Sequence, residues 1–207
     1  MTGPLRLPVL ASAETLGWPK HSDAPRIGYV DAADIFERSW PSDAHFAAYS
    51  VPGVEHRLTL DAIGRLPGGW PMVLLVVDVD GPGHKRESAW WADELLKLEA
   101  LAAAHPGGFF YATRGGYRLV YRLASPVMIR TVDDKEAWRE RYRRDLLYLA
   151  RRFAIFGDPA CSDITRLFRC PKATRTPGGA PEDHPTMGDP SVAVSYTHLT
   201  LPTSDLV

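Results

Sequence analysis

Two aspartates one residue apart end the most apolar segment of the chain. Asp78 and Asp80 follow the hydrophobic run 72–77 and directly precede Gly81. Side chains of a strand alternate between its two faces, so both carboxylates would lie on one face. Mg²⁺ and Mn²⁺ prefer such hard oxygen ligands and bind through one or two carboxylates together with substrate phosphates. The pair predicts a metal and nucleotide site, although strands also end in Asp because the following turn favours it.

Two further groups of polar residues lie in the second half of the chain. Over 117–123, Tyr and Leu alternate with Arg118 and Arg122, so both arginines would share one face of a strand. They could hold phosphate oxygens through bidentate, charge-assisted bonds, or lie on a solvated sheet face. Asp158 is the first choice for a third metal ligand, and Asp163 is the second. The basic residues that follow Asp158 are Arg166, Arg169, Lys172 and Arg175. These cations would neutralise phosphates.

Hydrophobic periodicity predicts the elements that would position these residues. A strand is expected over 72–79. Apolar residues at helical spacing predict an amphipathic helix over 87–104 and a second long helix over 134–154. Between the helices, two apolar segments flank Gly115 and Gly116, which predicts a hairpin whose glycines take the positive φ of a tight turn.

The remaining elements complete a mixed fold. A short strand is expected over 166–170, and short helices are expected after Asp31 and Thr59, which can act as N-caps. The Pro-rich first 25 residues predict an irregular N-terminus. The order strand, helix, hairpin, helix, strand predicts an α/β (α+β) fold in which helices cover one face of a mixed sheet. The glycine-rich fingerprints of dinucleotide-binding and P-loop proteins do not occur in the sequence.

Composition is that of an ordinary globular protein. The 207 residues would fit one domain, with 45% hydrophobic and 24% charged residues. The longest apolar run is far too short to span a membrane, so we expect a cytoplasmic protein without membrane partners. Cys161 and Cys170 are expected to be free thiols.

Charge is unevenly distributed along a chain whose net charge is −1. Residues 114–175 contain 15 Lys and Arg against 7 Asp and Glu. A basic segment within a nearly neutral protein can bind a polyanion locally, or it can form a solvated helix face. The sequence leaves both interpretations of this segment open.

Three segments resemble the motifs of the archaeo-eukaryotic primase superfamily, in its plasmid and phage primase-polymerase branch. They are DVD at 78–80, TRGGYRLVYRL at 113–123 and GDPACSDITRLFRCPKATR at 157–175. The resemblance covers about residues 27–178 and implies an N-terminal α/β module joined to an RNA-recognition-like catalytic module. It departs from the family pattern at Arg118, where that pattern has histidine. Arginine can bind phosphate but cannot act as a neutral imidazole.

The resemblance implies a DNA primase/polymerase that performs template-directed, two-metal nucleotidyl transfer. Mg²⁺ or Mn²⁺ would be held by Asp78, Asp80 and Asp158, while Arg118 and Arg122 would contact nucleotide phosphates. The residues implied to contact either those phosphates or the template backbone are Arg166, Arg169 and Lys172. The implied partners are single-stranded DNA, an NTP or dNTP, and a helicase domain or subunit outside this fragment.

Two other functions remain open at this point. A metal-dependent glycosyltransferase also uses a D-x-D pair, but it would not explain the basic segment after Asp158. A catalytically impaired module that binds single-stranded nucleic acid is favoured by Arg118 in place of histidine. In the domain organisation that we expect, residues 1–26 are irregular, 27–178 form the primase-polymerase-like domain and 179–193 are a linker. Residues 194–207 resemble a translated sequencing-adapter tail and are expected to be non-native.

Overall fold

The computed structural model describes residues 6–11, 26–40, 43–50, 68–174, 186–187 and 193–194. In chain order the elements are β1 (Arg6–Ala11), β2 (Arg26–Asp31), α1 (Ala32–Glu37), β3 (His45–Ala47), β4 (Trp70–Asp80), α2 (Ser88–Ala104), β5 (Gly108–Ala112), β6 (Gly116–Ile129), α3 (Val132–Phe153), β7 (Leu167–Arg169), β8 (Thr186–Met187) and β9 (Ala193–Val194). The predicted α+β class is confirmed, because this part of the chain forms two sheets and three α-helices.

The described strands form one sheet of four strands and one of five. The first sheet has the order β2-β1-β3-β7, and all its neighbours are antiparallel. The second has the order β4-β6-β5-β8, and β9 pairs with β6 in parallel, so this sheet is mixed. In the β4–β6 register, Asp78 lies opposite Arg118 and Asp80 lies opposite Gly116. The end of the aspartate strand therefore adjoins the hairpin between β5 and β6.

Strand β4 is buried on both faces, which explains its nearly continuous hydrophobic sequence. Every residue from Met72 to Val79 is buried. On one side, the Tyr142 hydroxyl of α3 donates to the Val76 carbonyl at 3.0 Å. On the other side of the second sheet, the Phe36 ring of α1 lies 4.8 Å from the Phe109 ring of β5. A strand between two layers cannot show the alternation of a half-exposed strand.

The two long helices agree with their predicted ranges to within two residues. The first turn of α3 has a capping box, in which the Thr131 hydroxyl accepts from the Asp134 N–H and the Asp134 carboxylate accepts from the Thr131 N–H. The helix ends at Phe153 and is followed by Ala154, which adopts a left-handed φ of 53°. Helix α2 is tied to β6, because the Tyr117 hydroxyl donates to the buried Glu94 carboxylate at 2.6 Å. Among the described residues, no helix is both long and apolar enough to cross a membrane.

The N-terminal segment differs from its predicted irregular conformation. Residues Arg6–Ala11 form β1, which pairs with β2 on one side and β3 on the other. The single proline of this strand, Pro8, has no partner in β3, because β3 pairs only with Val9 and Leu10. The missing N–H of a proline is tolerated where no ladder bond is required. The prediction was wrong here because it treated the prolines as breakers.

Other local predictions have mixed outcomes. Asp31 stands at the N-cap of α1 as expected, but its side chain makes no capping bond and lies 3.4 Å from Arg6 Nε. The helix predicted after Thr59 lies outside the described residues. Within the predicted linker and at the start of the predicted tail, residues 186–187 pair with β5 and residues 193–194 pair with β6.

The hairpin between β5 and β6 forms where it was predicted, but its glycines act differently. The glycines with positive φ in the described residues are Gly68, Gly69, Gly83 and Gly107. Neither hairpin glycine is among them. Gly116 is required for space instead, because a Cβ atom there would lie 1.9 Å from the Val79 carbonyl oxygen. The absence of a side chain lets β6 approach β4 closely at the end that carries Asp80.

We expect Gly116→Ala to lower the free energy of unfolding by about 3 kcal/mol, because the new methyl group must displace backbone. Gly83→Ala is the matched control. A Cβ atom at Gly83 meets nothing within 4 Å, and its cost of about 1 kcal/mol would come from the positive φ alone. Urea unfolding monitored by circular dichroism measures both variants. Equal losses in the two variants would contradict the steric role of Gly116.

Candidate functional site

Asp78 and Arg118 form a buried ion pair across β4 and β6. Asp78 is 7% exposed. Arg118 Nε donates to Asp78 Oδ1 at 3.0 Å, and Nη2 donates to Oδ2 at 3.1 Å. Nη1 donates to the Arg169 carbonyl at 3.2 Å and lies 3.4 Å from the Tyr111 hydroxyl. Burial opposes the charge of Arg118, but Tyr111 and Asp78 together raise its pKa above the usual value. Arg118 therefore stays charged and holds the Asp78 carboxylate in one orientation through two parallel hydrogen bonds.

Asp158 lies beside Asp78 although the two are far apart in sequence. The segment that follows α3 runs past the end of β4, and the Asp158 N–H donates to the Asp78 carbonyl at 2.8 Å. One guanidinium contacts both carboxylates, because Arg166 Nη1 lies 3.1 Å from Asp158 Oδ2 and Nη2 lies 3.8 Å from Asp78 Oδ2. Asp158 Oδ1 accepts from the Ala160 N–H at 2.8 Å, which caps the following 3-10 turn.

Asp80 lies at the exposed end of β4, on the same face as Asp78 and about 7 Å farther along the strand. Its Oδ2 is 3.0 Å from His84 Nδ1. His84 follows Gly83 in the loop after β4 and has a φ of 55°, which is uncommon for a residue other than glycine. His84 is not among the site residues predicted from the sequence. The signal available was its position four residues after Asp80 in a short glycine-rich loop.

The other predicted phosphate-binding residues are dispersed. Arg169 Nη1 lies 2.8 Å from Asp43 Oδ1. Lys172 Nζ donates to the Glu37 carbonyl at 3.1 Å, which ties the segment after β7 to the end of α1. Arg122 is opposite Leu74 in β4, four residues along the strand from Arg118, which is about 13 Å. The structure therefore separates Arg122 from Asp78.

Asp163, the second choice for a third ligand, serves a local turn. Its Oδ1 accepts from both the backbone N–H and the hydroxyl of Thr165 at 2.9 Å. Such a side-chain turn is a common use of Asp in loops. Of the two candidate acids, only Asp158 shares a described ion-pair partner with Asp78.

Asp78, Asp80 and Asp158, which we call the candidate metal site, fit a divalent cation by donor type. Carboxylate oxygens are the ligands that Mg²⁺ and Mn²⁺ prefer. A carboxylate has about four lone-pair sites, so the fork of Arg118 leaves some on Asp78 for another cation. A divalent ion between Asp78 and Asp158 would replace Arg166 as their shared counter-charge. In the side-chain positions of the described residues, no three His, Cys, Asp or Glu groups are gathered closely enough to ligate a metal.

Both cysteines are free and buried, as predicted. Cys161 lies in the 3-10 turn after Asp158, and burial raises the pKa of its thiol to about 11. A thiol with a raised pKa is a weak nucleophile at neutral pH. Cys161 therefore acts as a packing residue behind the candidate metal site.

A cavity opens beside Arg118, between the hairpin end of the second sheet and strands β3 and β7 of the first. Its volume is about 260 Å³, and Tyr111, Arg118 and Arg169 are among its lining residues. The concave surface thus lies next to the Asp78 ion pair. Clefts with a few convergent polar groups are typical locations of ligand sites.

Comparison of the chain with protein-family models, with curated proteins and with solved structures finds no match in any of the three. The function therefore has to be inferred from the chemistry of these side chains. The geometry that bears on it most directly is the convergence of Asp78, Asp158 and Arg166.

Proposed function

We propose that the protein is a DNA primase/polymerase domain that performs template-directed nucleotidyl transfer. The observation that carries this proposal is the meeting of Asp78 with Asp158. They are joined by a backbone hydrogen bond of 2.8 Å and share the Arg166 guanidinium. Paired carboxylates with a partly exposed counter-charge suit the transfer of a nucleotide from a triphosphate, in which positioning and charge neutralisation do most of the catalytic work.

Each residue of the site would have a separate task. A divalent metal ion held by Asp78, Asp80 and Asp158 would supply Lewis-acid stabilisation of the phosphates. Arg118 keeps Asp78 in one orientation through its two parallel bonds, which makes it a positioning residue. Arg166 is about one-third exposed and can turn from the carboxylates towards phosphate oxygens.

One observation favours a second candidate, a module that binds single-stranded nucleic acid without catalysis. Arg118 already neutralises both oxygens of Asp78, as a metal ion would otherwise do. The basic side chains would then bind the phosphate backbone through charge alone. This alternative predicts DNA binding that is independent of divalent metal ions.

A nucleotide incorporation assay distinguishes the two candidates. We expect the purified chain to incorporate labelled NTP or dNTP on single-stranded DNA with Mg²⁺ or Mn²⁺. A chelator should abolish incorporation, and excess metal ion should restore it, because the carboxylates cannot stabilise phosphates alone. Reactions without template, with and without a primer, are the controls. Retarded DNA without synthesis would support the binding module, and turnover of a nucleotide sugar would indicate a glycosyltransferase.

A further inference from the structure

Two cavities near the candidate metal site share one histidine. The first has a volume of about 260 Å³ and the second about 500 Å³, and His45 and Leu167 line both. The nitrogen- and oxygen-bearing side chains of the first cavity are those of His45, Tyr111, Thr113, Arg118 and Arg169. None of the described residues that line this cavity is an Asp or a Glu. A lining of N–H and O–H donors without carboxylates suits an anionic ligand.

His45 stands next to Arg169 at the junction of the cavities. The two residues lie directly opposite each other in the β3–β7 pair, so their Cβ atoms are about 5 Å apart. Asp43 contacts both side chains: its Oδ1 is 2.8 Å from Arg169 Nη1 and 3.8 Å from His45 Nδ1. Both side chains are about one-quarter exposed. The imidazole and the guanidinium are thus held side by side and remain accessible.

The second cavity leads from His45 towards the candidate metal site. Arg166 lines it and is the guanidinium that contacts Asp78 and Asp158. Asp163 also lines it, and its Oδ1 accepts from the N–H and the hydroxyl of Thr165. A ligand with several phosphates could therefore meet Arg166 at one end and His45 with Arg169 at the other. A single phosphate would not need two adjoining cavities.

We propose that His45 is a phosphate-contacting residue for the triphosphate of the incoming nucleotide, an inference that rests on the function proposed above. Arg118 of β6 also lines the first cavity, but its Nε, Nη1 and Nη2 atoms already contact Asp78, Tyr111 and the Arg169 carbonyl. His45 supplies an imidazole from the opposite sheet. It acts together with Arg169, its neighbour across β3 and β7, and with Arg166, which lines the second cavity. Both guanidiniums are permanently charged.

The test measures binding of inorganic tripolyphosphate by calorimetry and steady-state incorporation, using the full chain. We expect His45→Ala to weaken tripolyphosphate binding about tenfold, the value of one charge-assisted hydrogen bond. The KM for nucleotide should rise by a similar factor, while kcat changes less than about twofold, as expected for uniform binding. His45→Gln keeps an N–H donor and should show a smaller loss, because the amide can still donate a hydrogen bond to a phosphate oxygen. Circular dichroism checks that both variants fold.

His105→Gln is the matched control, because His105 contacts Tyr148 of α3, outside both cavities. Its tripolyphosphate affinity should equal that of the wild type. If the wild type incorporates nucleotide but both His45 variants bind tripolyphosphate normally, the role of His45 is refuted and the proposed polymerase stands. If the wild type does not bind tripolyphosphate, the inference is refuted. Binding that depends on His45, in a protein that incorporates nothing, would support the anion site and refute the polymerase.

Discussion

Asp78→Ala is expected to lower the free energy of unfolding by about 3–5 kcal/mol, because it leaves the Arg118 guanidinium buried without its counter-charge. The ion pair is largely removed from water, with side-chain exposures of 16% for Arg118 and 9% for Asp78. Breaking a buried pair costs more than the pair contributes, since the remaining charge has lost its hydration as well as its partner. Urea unfolding at neutral pH measures the effect.

The double variant Asp78→Leu with Arg118→Met is the control for this explanation. Removing both charges eliminates the unpaired guanidinium, so the double variant should regain most of the stability that Asp78→Ala loses. Asp80→Ala should cost less than about 1 kcal/mol, because Asp80 pairs with an exposed His84. A loss below about 1 kcal/mol for Asp78→Ala would show that Arg118 does not depend on Asp78 for its charge balance.

Asp80→Ala is expected to reduce nucleotide incorporation by at least about 100-fold while leaving the fold intact. The expected size corresponds to the loss of one group that stabilises transition-state charge. Asp80 lies on the same strand face as Asp78, and its side chain is 43% exposed, so it is free of the structural role that Asp78 has. Initial rates of incorporation at saturating Mg²⁺ or Mn²⁺ measure the effect.

Asp93→Ala provides a matched control for Asp80→Ala. Asp93 is an exposed carboxylate on α2 that pairs with Lys97 at 2.7 Å, so it tests whether loss of any surface carboxylate affects synthesis. We expect normal incorporation from this variant. Undiminished synthesis by Asp80→Ala would exclude Asp80 from the catalytic residues. Asp78→Ala is a weaker test of catalysis, since it can lose activity through instability alone.

Local sequence patterns were sufficient for most of the elements around the site. The apolar run before Asp78 predicted β4, and helical spacing predicted α2 and α3 to within two residues. The pair Gly115 and Gly116 predicted the hairpin. These features depend on residues that are close in sequence, because the hydrophobic periodicity of a strand or a helix is visible within a window of about 11–18 residues. The same reasoning missed β1, because its strand conformation depends on pairing with β2 and β3.

The partner of Arg118 illustrates what local patterns omit. Alternation along β6 predicted that Arg118 and Tyr117 lie on opposite faces, and their contacts agree: Tyr117 donates to Glu94 of α2, whereas Arg118 donates to Asp78. Whether that face meets solvent, phosphate or a carboxylate depends on the register with β4, where Asp78 is the residue opposite. Register is a property of paired strands, and a shift of one residue would have moved Arg118 away from Asp78. Arg118, which was expected to contact nucleotide phosphates, therefore pairs with Asp78.

By itself, the sequence determined the chemical types at the site: two aspartates at a strand end, a third acid after the second long helix, and arginines around them. Only the tertiary structure decided which of these groups meet. It joined Asp158 to Asp78 through Arg166, left Asp163 in a local turn, and brought His45 from the first sheet beside Arg169. The physical reason is that contacts between remote residues arise when layers pack and strands pair, and no short segment contains that information.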